Sequence, residues 1–183
     1  MTRTRRRNRW RTTISGCVVV AASLLSCGCN GMRLHKDFGY TDERTELSWG
    51  SLSARLLGTD HNVSRSEVVR RAPYRLVVTA ALRGKAGPSC RAEIHSLELS
   101  DAGTSEPVFS ASASSRSFEQ LTDGSTAAIF VFQIERLEYQ DLDLALTLSL
   151  TECTAEPGSR VQMKMVRNYQ EKRIGVWEML KGV

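Results

Sequence analysis

Histidine is scarce in this chain, with three residues in 183: His35, His61 and His95. No two lie close enough in sequence to make a local metal motif, and no CxxC pair occurs, so neither a zinc-ribbon nor a dithiol redox reading is supported. Past the first 30 residues there is no G-x-S-x-G, no S-x-x-K and no phosphate-cradling glycine loop. Gly84-Lys85 lacks the earlier glycine that such a loop needs. No cofactor motif is present to read. Long apolar runs are missing as well. The longest stretch, Ile14 to Leu25, has 12 residues, whereas spanning a bilayer takes about 20. Internal repeats are absent, and the serine-rich Ser110 to Ser117 is too short to count as low complexity.

Acidic residues are missing from the first 36 positions, while Arg3, Arg5, Arg6, Arg7, Arg9 and Arg11 all precede the apolar stretch. The formal charge of +5 therefore misleads. Removing those 6 arginines from 25 basic residues leaves 19, against 20 acids, a charge of −1 from Cys27 onward. The basic balance belongs to the N-terminal segment, and a nucleic-acid partner is not supported for the rest.

An arginine-rich start followed by a short apolar run has the plan of an export signal. Three cysteines, Cys17, Cys27 and Cys29, are possible end-points for it. Leu24, Leu25, Ser26 and Cys27 resemble the lipobox of bacterial lipoproteins, with an aliphatic residue at −3, a small residue at −1 and the obligatory cysteine. Ile14 to Cys17 fits those four letters too, but nothing apolar precedes it to hold a cut site at the membrane. Cys29 has no aliphatic at −3. The resemblance covers the first 30 residues or so and implies a signal at 1–26, cleavage before Cys27, and a lipid on its sulfur. It further implies a membrane-anchored location in the bacterial cell envelope. Gly28, which is not aspartate, points to the outer membrane, facing the periplasm, in a Gram-negative cell. A plain cleaved signal is the alternative.

Polar residues without sustained periodicity follow, and 27–44 reads as the anchor and a flexible tether. One domain over 45–183 is large enough for a real core. Its clearest pattern is Leu142, Leu144, Leu146, Leu148 and Leu150 alternating with Asp143, Ala145, Thr147 and Ser149. Period two with one apolar face is a strand of an antiparallel sheet. Ala127 to Ile134 is apolar on both faces, as in a central strand. Tyr74 to Leu82, Cys90 to Ser100, Pro107 to Ser112 and Arg160 to Met165 read as further strands. The segment around Trp49 reads as a strand interrupted at Gly50 or one followed by a helical turn. About seven strands without a long amphipathic helix predict an antiparallel β-sandwich. Their order resembles an immunoglobulin-like domain, and Tyr139, just before the leucine strand, resembles that fold's tyrosine corner.

Three cysteines remain beyond Cys27. Cys90 opens one predicted strand and Cys153 closes another, so antiparallel neighbours would bring them together as a disulfide. Buried thiols, or a bond from Cys29, are the alternatives. Arg65, Arg70, Arg71 and Arg75 form the one dense basic run, readable as a grip for acidic groups or as a solvated strand edge. In the tail, Trp177 is either core closure or a partner-binding side chain, on a strand or a helix. His95 and Glu93 share a strand face and, with the abundant serines, are the only trace of an enzyme. The expectation is a non-catalytic binding or scaffolding module with an envelope protein partner. An inhibitor or immunity lipoprotein that blocks a hydrolase, using Asp101 to Pro107 or the Arg65 region, is the second reading.

Overall fold

The computed structural model describes residues 32–84, 86–87, 89–153 and 158–175. Among them the chain is all β. Twelve strands form two sheets: β1 (Arg33–Tyr40), β2 (Glu43–Leu47), β3 (Gly50–Ser64), β4 (Glu67–Leu82), β5 (Arg91–Asp101), β6 (Pro107–Ala111), β7 (Ser114–Ser117), β8 (Glu119–Gln120), β9 (Thr126–Ile134), β10 (Leu142–Thr151), β11 (Ser159–Met165) and β12 (Arg167–Ile174). One sheet runs β12-β1-β4-β3-β2, with β9 also on β4 and β8 on β9; the other runs β11-β10-β5-β6, with β7 also on β5.

The sandwich forms because period-two patterns on both sheets aim apolar side chains at each other. All five leucines of β10 are buried, as are Val161, Met163 and Met165 of β11. They face Leu52, Ala54 and Leu56 of β3, Leu76, Val78 and Ala80 of β4, and Phe130 of β9. Each leucine so placed contributes roughly 2 kcal/mol relative to exposure.

The strand count exceeds the seven expected by five: the short β7 and β8 were not foreseen, and three more strands arise as follows. Residues 33–44, read as tether, instead hold β1 and the start of β2. The Trp49 region is a hairpin: Leu47 pairs Gly50 across the two-residue turn Ser48-Trp49. Gly50 starts β3 rather than interrupting it, because any Cβ there would overlap the Ala81 carbonyl. The final strand, β12, lies beyond the last strand foreseen.

Strand β5 hides a change of parity. Ala92 and Ile94 are buried, then Leu97 and Leu99, while His95 and Ser96 both face solvent. The β5–β10 register shifts between Thr147 and Leu148, a β-bulge that absorbs the extra residue and keeps all four apolar side chains inward.

β4 carries two different neighbours along one edge. β1 pairs Glu67 to Arg70 in parallel, and β9 pairs Tyr74 to Leu82 antiparallel. Between them sit Ala72 and Pro73, which are skipped by the register with β3. Proline has no N–H to give a ladder, so the pairing is interrupted there while the strand runs on. The carbonyls thus set aside are taken up by side chains: Thr59 Oγ1 donates to Pro73 O at 2.8 Å, and His61 Nε2 lies 2.8 Å from Ala72 O.

Below that break the sheet leaves the sandwich. β12, β1, the first part of β4 and the last part of β3 make a four-stranded arm about 25 Å long at the usual rise per residue. Of Arg167 to Arg173, every residue is exposed, and of residues 59–71 only Val68 and Val69 are buried. Solvent reaches both faces of the arm.

Candidate binding surface

The expected disulfide is formed: Cys90 and Cys153 are bonded, with Cα atoms 4.6 Å apart. Cys90 precedes β5, Cys153 follows β10, and Arg91 pairs Thr151, so the ladder itself brings the sulfurs together. Cys27, Cys29 and Trp177 lie outside the described residues.

The basic run does not stay together. Successive strand residues point to opposite faces, and Arg70 and Arg71 follow that rule. Arg70 holds Asp60 with two hydrogen bonds, Nε to Oδ1 at 2.7 Å and Nη2 to Oδ2 at 3.3 Å, and reaches Asp37 at 3.2 Å. The hydrogen bond from Arg70 lowers the Asp60 carboxyl below its ordinary range. A guanidinium so occupied is a structural clasp between β1, β3 and β4. Arg71 instead lines a depression of about 500 Å³ with Phe38, His61, Tyr74, Leu137 and Tyr139.

The walls of that depression are aromatic and tightly joined. Phe38 meets Tyr139 edge-on at 5.2 Å and Tyr169 at 5.1 Å, and Tyr40 meets Tyr74 at 5.6 Å. Tyr74 Oη donates to Phe38 O at 2.8 Å. Burial raises the Tyr74 hydroxyl to about 12 and pushes Tyr40 higher still. Tyr139 is not a tyrosine corner, which bonds a few residues upstream; its hydroxyl donates to Gly39 O, a hundred residues away. These rings weld the arm to the end of the sandwich.

His95 does not sit with Glu93 as a pair. As the bulge residue it turns to β10, where Nε2 lies 2.7 Å from Ser149 Oγ, while Glu93 is 3.5 Å from Thr151 Oγ1. This His–Ser contact is exposed on an open sheet face. Among the described residues no cluster of three or more metal-ligating side chains occurs.

β9 leaves part of one edge open. Its inner side chains, Ala128, Phe130 and Ile134, are buried, but Ile129 is 42% and Val131 55% exposed. Val131 stands beside Val77, and Ile129 beside Thr79, on the outer face of the sheet. Sequence reading made β9 a central strand because both faces are apolar; the structure corrects this. One edge is fully paired to β4, while the other meets β8 only at Ala127 and Thr126. From Ala128 to Ile134 the outward backbone groups have no strand partner among the described residues. No proline, lysine or inward charge shields this edge, the devices that ordinarily do so.

Comparison with known proteins finds no matching family, no similar curated protein and no similar solved structure.

Proposed function

We propose that the chain is a lipid-anchored lipoprotein of the bacterial cell envelope, non-catalytic, whose β-sandwich binds an extended segment of an envelope protein along β9. The observation that carries the binding role is the open β9 edge with Ile129 and Val131 beside it. An added strand would take up the outward N–H and C=O groups of Ala128 to Ile134, and its alternate side chains would cover Ile129 and Val131. The Leu24–Cys27 lipobox supports anchoring at Cys27, and tethering to a membrane raises the effective concentration for a neighbouring partner.

The test has two parts. A photo-crosslinking residue at Val131 should capture a discrete envelope protein in cells, and the same residue at Glu98, on the other sheet, should not. Equal capture from both positions, or capture unaffected by Ile129→Lys, sinks the edge reading. A fatty-acid probe should label the wild-type chain and leave Cys27→Ala unlabelled; any other result sinks the anchor.

One observation favours the inhibitor reading. The loop from Asp101 to Pro107 is preorganised: Asp101 Oδ1 accepts from Gly103 N at 2.6 Å and Thr104 N at 2.7 Å. A stiff loop of that kind loses little freedom on entering a cleft. Loss of capture on altering Thr104 rather than Ile129 would select it.

A further inference from the structure

The tip of the arm gathers charge that the sequence scatters. Arg33 pairs Ile174, and His35 pairs Lys172, so the start of β1 and the end of β12 lie side by side. Leu34 pairs Glu67, and Leu34 N donates to Ser66 O, which places the β3–β4 turn at the same end. Arg33 ties the turn down, with Nε on Arg65 O and Nη2 on Asn62 Oδ1, both at 3.2 Å.

Five basic residues therefore share this tip: Arg33, Lys36, Arg65, Lys172 and Arg173, against Glu67 and Glu171. Their sum is +3, and the rest of the chain from Cys27 carries −4. Lys36 is engaged by Glu67 at 2.7 Å. The tip also carries two exposed apolar side chains, Val63 at the turn and Met32 just before β1, each 59% exposed.

The position of the tip relative to the anchor matters most. Arg33 follows Cys27 by six residues, a span of at most about 20 Å. We infer that the arm tip docks on anionic phospholipid headgroups and stands the sandwich upright on the membrane, an inference that rests on anchoring at Cys27. Basic side chains meet the anionic surface while Val63 and Met32 enter the headgroup layer, and a single-sided charge distribution orients the domain. The arm then holds the sandwich off the bilayer as a stiff stalk, with β9 starting above the Pro73 break.

The full chain, lipidated in a bacterial host, is reconstituted in phosphatidylcholine vesicles with and without phosphatidylglycerol. Hydrogen exchange of Asn62 to Glu67 should slow at least about tenfold on the anionic vesicles and recover in high salt. The double variant Arg65→Gln/Arg173→Gln should abolish the difference while leaving exchange in β10 unchanged. Arg33 is kept because it also secures the turn. Equal exchange on both vesicles, in a chain shown by fatty-acid probe to be lipidated, overturns the docking and leaves the anchor standing. If the chain carries no lipid, the anchor falls, and co-sedimentation decides the tip. Salt-sensitive binding to anionic vesicles alone supports it, and no binding overturns it.

Discussion

Tyr40 and Tyr139 exchange hydrogen bonds with each other's neighbours: Tyr40 Oη donates to Glu138 O at 3.4 Å, and Tyr139 Oη donates to Gly39 O at 3.3 Å. Their rings meet edge-on at 5.6 Å, and Arg167 lies over the Tyr139 ring. The pair stitches the connection between β9 and β10 to β1. Tyr139→Phe should cost about 1 kcal/mol in urea unfolding, the ordinary worth of one such bond. Tyr139→Ala should cost roughly 3 kcal/mol, because the ring's packing goes too. Equal losses in the two variants would mean that the ring contributes nothing.

Alkali should weaken the fold through the buried tyrosines. Burial raises the folded-state value of Tyr74 from 10.0 to about 12. An acid group with a raised folded value favours the folded state while both states are neutral. That contribution is complete below pH 10 and is lost as pH climbs towards 12. The urea midpoint of the wild type should fall over that window, and Tyr74→Phe, weaker at neutral pH, should fall less steeply. An unchanged slope would mean that Tyr74 is not the group responsible.

The Cys90–Cys153 bond closes a loop with a sequence separation of 63. In the chain-entropy account, closing a loop of that size limits the unfolded state by about 4 kcal/mol. Cys90→Ala/Cys153→Ala should lose stability of that order, and the oxidised chain should yield one disulfide-linked peptide joining these two cysteines.

The bulge at His95 gives a less intuitive expectation. Deleting His95 should be tolerated, because Ile94 and Leu97 then become alternate residues of a regular strand with both side chains inward. Deleting Ala145 in β10 should abolish folding, since Leu146, Leu148 and Leu150 would turn outward together. Circular dichroism and thermal melts of the two deletions separate the cases.

What the sequence discloses follows from which faces are dry. β10 and β11 were legible because one face meets the core and the other meets water, so their letters alternate without exception. The disulfide was legible because Cys90 and Cys153 flank two strands that an antiparallel sheet makes neighbours. β1 was not, because Arg33 to Tyr40 belongs to an arm wetted on both faces, and such a strand needs no alternation. Its order comes from ladders with β12 and β4, which leave no trace in side-chain pattern. β5 was placed but its bulge was hidden, since a parity switch looks like noise until the partner strand is known. The separation within the arginine cluster was not legible, because adjacency in sequence is separation across a strand and two aspartates from elsewhere engage Arg70. The edge position of β9 was masked by the exposed Ile129 and Val131, which mimic a strand covered on both sides.

The pairing of Arg33 with Ile174 sets an order of assembly. A ladder that joins the first described strand to the last cannot form until Arg167 to Ile174 has been made, and contacts so distant in sequence are slow to find each other. The sandwich strands β2 to β11 all precede Arg167, so the sandwich can be complete while β1 still waits for β12. A chain that stops short of Arg167 therefore keeps most of its hydrophobic core and lacks the stalk's outer strand. A stop codon in place of Arg167 should give a folded sandwich with a loose N-terminal strand, a protein defective in posture before it is defective in stability.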